Sequence, residues 1–283
     1  MTVLEVIQKS TEYLAKKGVE SPRLQTELLL AHLLKMPRMK LYLNFDRVLT
    51  TPETDGLREL VKRRGQREPL QHIVGSASFC GHEISVSRHA LIPRPETELL
   101  AELGWKFLEA IKHQPSTALD FGTGTGCIAI ALAAKCPNAK ITALDVSPEA
   151  LALARQNAGQ NQVTEQIEFL QGDGFAALTT GTTFDLLISN PPYIASVEIA
   201  TLEPEVRDFD PRGALDGGAD GLDFYRRLAA EAKPFLNPDG KIMLEFGDGQ
   251  AEEIKKIFES EKWIVEAVQA DYSQRARILT ARK

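Results

Sequence analysis

The chain has 283 residues, 43% hydrophobic and 25% charged, with a net charge of −6. This is ordinary globular composition for one large domain or two moderate ones. The acidic balance argues against broad phosphate contact, while leaving room for a local basic patch. Cys80, Cys127 and Cys136 show no paired metal spacing, so a reduced, cytoplasmic compartment is expected. Met1 to Glu5 carries no basic region followed by an apolar core, so no signal peptide is expected. No run approaches the roughly 18 apolar residues of a membrane span.

Taken in order, Val3, Leu4, Ile7, Tyr13 and Leu14 form a helical stripe that ends at Gly18. Ser21-Pro22 opens a second helix with a capping residue and a first-turn proline, its apolar set being Leu24, Leu28, Leu29, Leu30, Leu33 and Leu34. A short helix is expected over 39–44. Thr51-Pro52-Glu53 starts another that runs to Lys62-Arg63-Arg64. These cations and Arg67 read as a solvated helix end rather than a nucleic-acid contact. Residues 1–69 therefore predict a small helical bundle. Residues 70–91 predict a β-hairpin connector, with Ile73-Val74, 77–79 and 83–86 as short strands. In Leu91-Ile92-Pro93-Arg94-Pro95-Glu96-Thr97-Glu98, alternating prolines hold Arg94 and Glu96 on a stiff approach to a helix. Arg94 reads equally as the partner of a site carboxylate or as a linker residue.

From there strands and helices alternate: helix 97–112, strand 117–121, helix 126–135, strand 140–145, helix 148–160, strands 166–171 and 184–189, helix 219–235, strand 239–246 and helix 249–260. Strands 263–270 and 275–281 close the chain as an antiparallel pair. The pattern over 92–283 predicts a mainly parallel sheet with helices on both faces.

Three strand ends carry cofactor chemistry. Asp120 precedes Gly122-Thr123-Gly124-Thr125-Gly126, a loop that lets the backbone approach a ligand at a helix N-terminus. Asp145 ends the next strand about 20 residues on, where a carboxylate accepts from ribose hydroxyls. Cys127 stands where a dinucleotide fingerprint needs its third glycine. With Asp120, that favours S-adenosylmethionine over a nicotinamide cofactor. Asp173, after the third strand, is placed to bond an adenine amino group, with Phe175 covering the ring. The fourth strand ends in Asn190-Pro191-Pro192-Tyr193. Its prolines cannot extend a central strand, and they stiffen a loop whose carbonyl oxygens stay free. Fixed acceptors beside an aromatic face suit a planar NH2 group, leaving the nitrogen lone pair aimed at an electrophile.

With these motifs the chain resembles the N5-glutamine methyltransferases that modify peptide chain release factors. The resemblance also covers Glu68 to Gly75, Leu91 to Glu98 and Gly217 to Leu222. It departs at Gly174, where similar proteins often carry a bulky aromatic. The resemblance implies a seven-stranded Rossmann-like class I methyltransferase sheet behind an N-terminal substrate-recognition domain. It implies methyl transfer from S-adenosylmethionine to the glutamine of a Gly-Gly-Gln motif, with release factors as protein substrate. No metal, direct nucleic-acid partner or membrane is expected. Asn190 and Pro191 are then expected to accept the two amide N–H bonds. Tyr193 is expected to pack on the amide plane, Asn190 also to touch the cofactor, and Pro192, Arg94 and Glu96 to contact substrate. His32, His72, His82, His89 and His113 read as structural. Residues 194–217, with Glu198, Glu203, Glu205, Asp208 and Asp210, read as a substrate lid. The alternative is an adenine-N6 methyltransferase on DNA or RNA, which shares the Asn-Pro-Pro-Tyr loop.

Overall fold

The structure, a computed structural model, describes residues 1–111 and 114–283. It divides into two compact units, one of residues 1–76 with 203–209, the other of 77–202 with 210–283.

In the first unit, α1 (Val3–Lys16) and α4 (Thr51–Gly65) each begin with a reciprocal capping box, Thr2 with Glu5 and Thr50 with Glu53. Between them run α2 (Pro22–Leu33) and α3 (Arg38–Tyr42). Val3, Ile7, Leu14, Leu29, Leu30 and Leu57 form the core, while Tyr13 and Leu24 of the expected stripes are exposed. Ser21 adopts a left-handed conformation and makes no side-chain cap, so the start of α2 rests on Pro22. Ile73 and Val74 lie in a helix, α5 (Leu70–Val74), not a strand. Pro69 precedes its first residue and Gly75 ends it at φ +86°, and these two signals override β-branched propensity.

Of the basic residues closing α4, Lys62 is exposed as expected, but the three arginines that follow are held by carboxylates. Arg64 is buried and donates to Glu205 (2.6 Å), Arg67 pairs with Glu203 and Glu205 (2.6 Å each), and Arg63 pairs with Glu68 (2.7 Å). Glu203 and Glu205 flank the start of α9 (Pro204–Arg207), inside the expected long loop. That loop also holds 3-10 turns at Ile199–Thr201 and Arg212–Ala214.

The second unit begins at Ala77, within the first strand of the hairpin β1 (Ser76–Phe79) and β2 (His82–Ser85). α6 (Pro95–Ala110) follows; the end of the helix expected over 97–112, and His113, lie outside the described residues. Then come β3 (Thr117–Phe121), α7 (Cys127–Lys135), β4 (Lys140–Asp145), α8 (Pro148–Gln160), β5 (Ile167–Gln171) and β6 (Phe184–Ser189). α10 (Asp223–Glu231) is shorter than the expected 219–235, because the chain tightens into a 3-10 turn at Lys233–Phe235. β7 (Leu236–Glu245), α11 (Ala251–Ser260), β8 (Ile264–Ala270) and β9 (Ala276–Arg282) complete the unit.

The expected seven-stranded sheet is present, in the order β5-β4-β3-β6-β7-β9-β8. Its first five strands are parallel, and β9 pairs antiparallel with both β7 and β8. Every residue of β6 is buried, as a central parallel strand covered on both faces requires. Leu186 and Ile188 join the core with α6 and α7, while Leu187 joins the core with α10 and α11. The winding reverses between β3 and β6, and such a switch point opens a crevice at the C-terminal strand ends.

Candidate active site

A cavity of about 420 Å3 occupies that crevice, a size suited to a small-molecule ligand. Its walls are strand-end loops: Gly122 to Thr125 after β3, Asp145 to Ser147 after β4, Gly172 to Gly174 after β5, and Ser189 to Pro192 after β6. Arg88 to Arg94 with Thr97, and Pro211 with Phe224 and Arg227, close the other sides.

The glycine loop turns at positive φ at Gly122, Gly124 and Gly126. Gly126 caps α7, and a Cβ there would lie 3.0 Å from the Ala154 Cβ, so α8 packs against the bare backbone. Asp145 pins the loop from below: its Oδ2 accepts from the Gly124 N–H (2.8 Å) and its Oδ1 from the Ser147 N–H (2.9 Å). Asp145 also lines the cavity.

Asp120 does not line it. Its Oδ2 accepts from Thr123 Oγ1 (2.6 Å) and the Ala129 N–H (3.1 Å), so it braces the loop from inside. Burial pushes its carboxyl up to about 7, against the opposing pull of those two hydrogen bonds. Gly126 likewise acts from behind the wall.

Of the adenine-side expectations, the one for Phe175 needs correction. The Asp173 side chain lines the cavity but is engaged by Arg227, whose Nη1 donates to its Oδ1 at 2.6 Å. The Phe175 ring is turned away into the core, stacked on Phe235 (4.9 Å between centroids) and tilted against Phe121 (5.0 Å). It is not a wall of the cavity. Gly174 is, at φ +62°, with Arg227 lying where a side chain would project.

At the β6 end, Ser189 Oγ donates to the Phe121 carbonyl (2.6 Å), tying the two central strand ends together. Asn190 Nδ2 donates to Thr97 Oγ1 (3.1 Å), which leaves Oδ1 to accept from a ligand. Pro191 and Pro192 line the cavity beside it, but the Tyr193 ring does not. Tyr193 packs against the core of α10 and α11, and burial and the neighbouring Glu245 raise its hydroxyl pKa. Arg94 lines the cavity and pairs with buried Asp210 (2.6 Å), so of its two readings the carboxylate partner is the one observed. Glu96 is exposed and outside the lining. Of the expected lid carboxylates, Glu203, Glu205, Asp208 and Asp210 all sit in ion pairs.

Some contributors carried no motif. His89 lines the cavity, although it read as structural, and so does exposed Val146, next to Asp145. Asn157 of α8 is fully buried: its Nδ2 donates to the carbonyls of Thr125 (2.9 Å) and Ser85 (3.0 Å), and its Oδ1 accepts from the Ser85 N–H (2.8 Å). One side chain thus hangs the glycine loop and β2 on α8. Its signal was a polar residue on the apolar stripe of Ala150, Leu151, Ala154 and Ala158.

Residues 5–75 match the model of the PrmC N-terminal domain, and residues 104–203 that of the methyltransferase small domain. The chain is 45% identical over 259 residues to the release factor glutamine methyltransferase of Geobacter sulfurreducens, covering 91% of this chain and 88% of that one. It is 40% identical to the protein of the same description from Chlorobaculum tepidum, covering 99% and 96%. Among solved structures, a methyltransferase from Pyrococcus furiosus superposes with a TM-score of 0.52 at 23% identity, covering 71% of this chain and 88% of that one. That likeness is one of fold.

Proposed function

This chain belongs to the release factor glutamine methyltransferase family, and we propose that the cavity at the β3 and β6 ends is where its methyl transfer takes place. The enzyme moves a methyl group to the side-chain amide nitrogen of a glutamine in a peptide chain release factor. The observation that carries the site assignment is Asn190, in the cavity wall with Nδ2 committed to Thr97 and Oδ1 left to accept.

The residues present fit S-adenosylmethionine. Gly122 and Gly124, both at positive φ and in the cavity wall, leave the loop backbone open to close approach, and Asp145 stands at the ribose position of the fold. When bound, the donor supplies a sulfonium methyl group, already a strong electrophile. The protein's part is to hold the acceptor. An amide nitrogen is a poor nucleophile because its lone pair is delocalised into its carbonyl. Asn190 Oδ1 and the Pro191 carbonyl accept the two N–H bonds, which fixes the amide plane and turns the nitrogen toward the methyl group. Alignment of this kind is worth up to ~7–11 kcal/mol in favourable intramolecular cases. Pro191 and Pro192 keep the loop from relaxing, since neither can donate to a sheet. Arg94, held by Asp210, and the apolar wall at Ala90 to Pro93 limit water at the reacting atoms. Asp120, braced against Thr123 and Ala129, keeps the glycine loop in its shape.

The test is labelled methyl transfer from S-adenosylmethionine to a purified release factor, with wild type and Asn190→Ala side by side. Label on a glutamine in the wild type, reduced about 100-fold or more in the variant, is expected. Label on DNA, RNA or another protein, with none on the release factor, would overturn the substrate assignment.

A further inference from the structure

We propose that Glu245 and Thr97 are positioning residues for methyl transfer: together they set the direction the Asn190 carboxamide faces, holding Oδ1 toward the substrate amide. This rests on the acceptor role given to Asn190 above.

β6 and β7 are parallel neighbours with Ser189 opposite Leu244, so Asn190 and Glu245 leave the sheet side by side. Thr97, buried in the first turn of α6, meets Asn190 directly, and Glu245 leaves the sheet next to Asn190. Its Oγ1 accepts from Asn190 Nδ2. The same hydroxyl interacts with the Glu245 carboxylate and favours its charged form, as a donor does. A hydroxyl has one hydrogen. Given to the carboxylate, it leaves Thr97 only an acceptor for Asn190. A carboxamide with nitrogen turned inward presents oxygen to the cavity.

Packing alone does not explain an acid here. Glu245 is 3% exposed, and its Oε2 has no hydrogen-bond partner among the described residues. A buried charge so poorly compensated is costly. The charged and titratable groups around it are Arg94 and Glu96 at the start of α6, Arg277 on β9, Tyr193 after β6 and Tyr225 on α10. Burial pushes its carboxyl up to about 7; Glu96 adds to that, while Thr97, Arg277 and Arg94 oppose it. Protonated, Glu245 becomes a donor to Thr97. The threonine hydrogen then turns to Asn190 and favours the flipped amide, with Oδ1 inward. The productive orientation is therefore present above about pH 7 and lost below it.

The experiment pairs NMR of the 15N-labelled enzyme without substrate with steady-state kinetics. The Asn190 side-chain amide signals, identified by their loss in Asn190→Ala, should shift with a midpoint near pH 7 in the wild type. They should not do so in Glu245→Gln. Thr97→Val should lower kcat about 10- to 100-fold, with the KM for S-adenosylmethionine changed less than about threefold. Thr97→Ser should restore turnover, and Glu245→Gln should keep measurable turnover but lose the acidic limb of the pH profile. Wild-type signals without a pH response, a response persisting in Glu245→Gln, or Thr97→Val turning over like wild type would each overturn the proposal. Should Thr97→Val not fold, the Glu245→Gln titration decides. A titration as expected, in an enzyme that methylates no release factor, removes the substrate assignment and leaves the orientation standing.

Discussion

Asn157→Ala removes three hydrogen bonds at once from a side chain with no solvent exposure. Water has little access to the Thr125 carbonyl, so its desolvation cost is felt in full, while the half-buried Ser85 groups recover part of theirs. At about 1 kcal/mol net per bond, with a further contribution from the orphaned groups, the loss is about 3–5 kcal/mol. That is a large share of the ~5–15 kcal/mol that holds a typical domain folded. Urea unfolding followed by circular dichroism should show the midpoint falling by about 1 M or more. The glycine loop also loses its tie to α8, so calorimetry should show weaker S-adenosylmethionine binding. Asn157→Asp keeps the acceptor for the Ser85 N–H but loses both donations and buries a charge, so it should be no better. A loss under about 1 kcal/mol in Asn157→Ala would refute the reasoning, because one buried and two part-buried bonds cannot vanish so cheaply.

Gly126→Ala forces a Cβ to 3.0 Å from Ala154 at φ +81°, and donor binding measured by calorimetry should weaken about tenfold or more. Phe175→Leu should cost about 1–3 kcal/mol in thermal or urea unfolding, because it removes the stack on Phe235. It should leave donor affinity nearly unchanged; a tenfold loss would put the ring back in the cavity wall. Asp120 has a folded-state pKa of about 7 against an ordinary 3.8, so the folded protein holds a proton there that the unfolded chain has released. Stability from this group is greatest below pH 4 and declines as pH rises to about 7, by at most ~4 kcal/mol. Asp120→Asn should flatten that part of the stability–pH curve; an unchanged slope would exclude the carboxyl as its source.

The sheet was legible because its signals are local. Alternating apolar runs, with glycine and proline at their ends, gave each parallel strand, and the short link near Asp271 gave the antiparallel edge. The loops after β3, β4 and β6 were legible for the same reason. What sequence could not supply was direction. Phe175 and Tyr193 follow strand ends where a ring can face ligand or core, and local spacing is the same in both cases. Both rings join the core. Arg64 and Arg67 looked solvated because their anions lie far along the chain, Glu205 being 141 residues from Arg64 and 138 from Arg67. Thr97 and Glu245 sit on different elements, and only the side-by-side exit of β6 and β7 brings the second within reach of the first.

The ionic stitch between Arg64, Arg67 and the pair Glu203 and Glu205 bears on how the gene can be cut. Residues 1–76 resemble a cassette to be lifted out and grafted onto another catalytic unit. Lifted alone, it would carry a guanidinium only 4% exposed and stripped of its carboxylate, a defect of the kind that costs several kcal/mol. A chimera built at residue 76 is therefore expected to express poorly unless the segment 203–209 travels with it. The unit of exchange in this protein is two pieces of chain, not one.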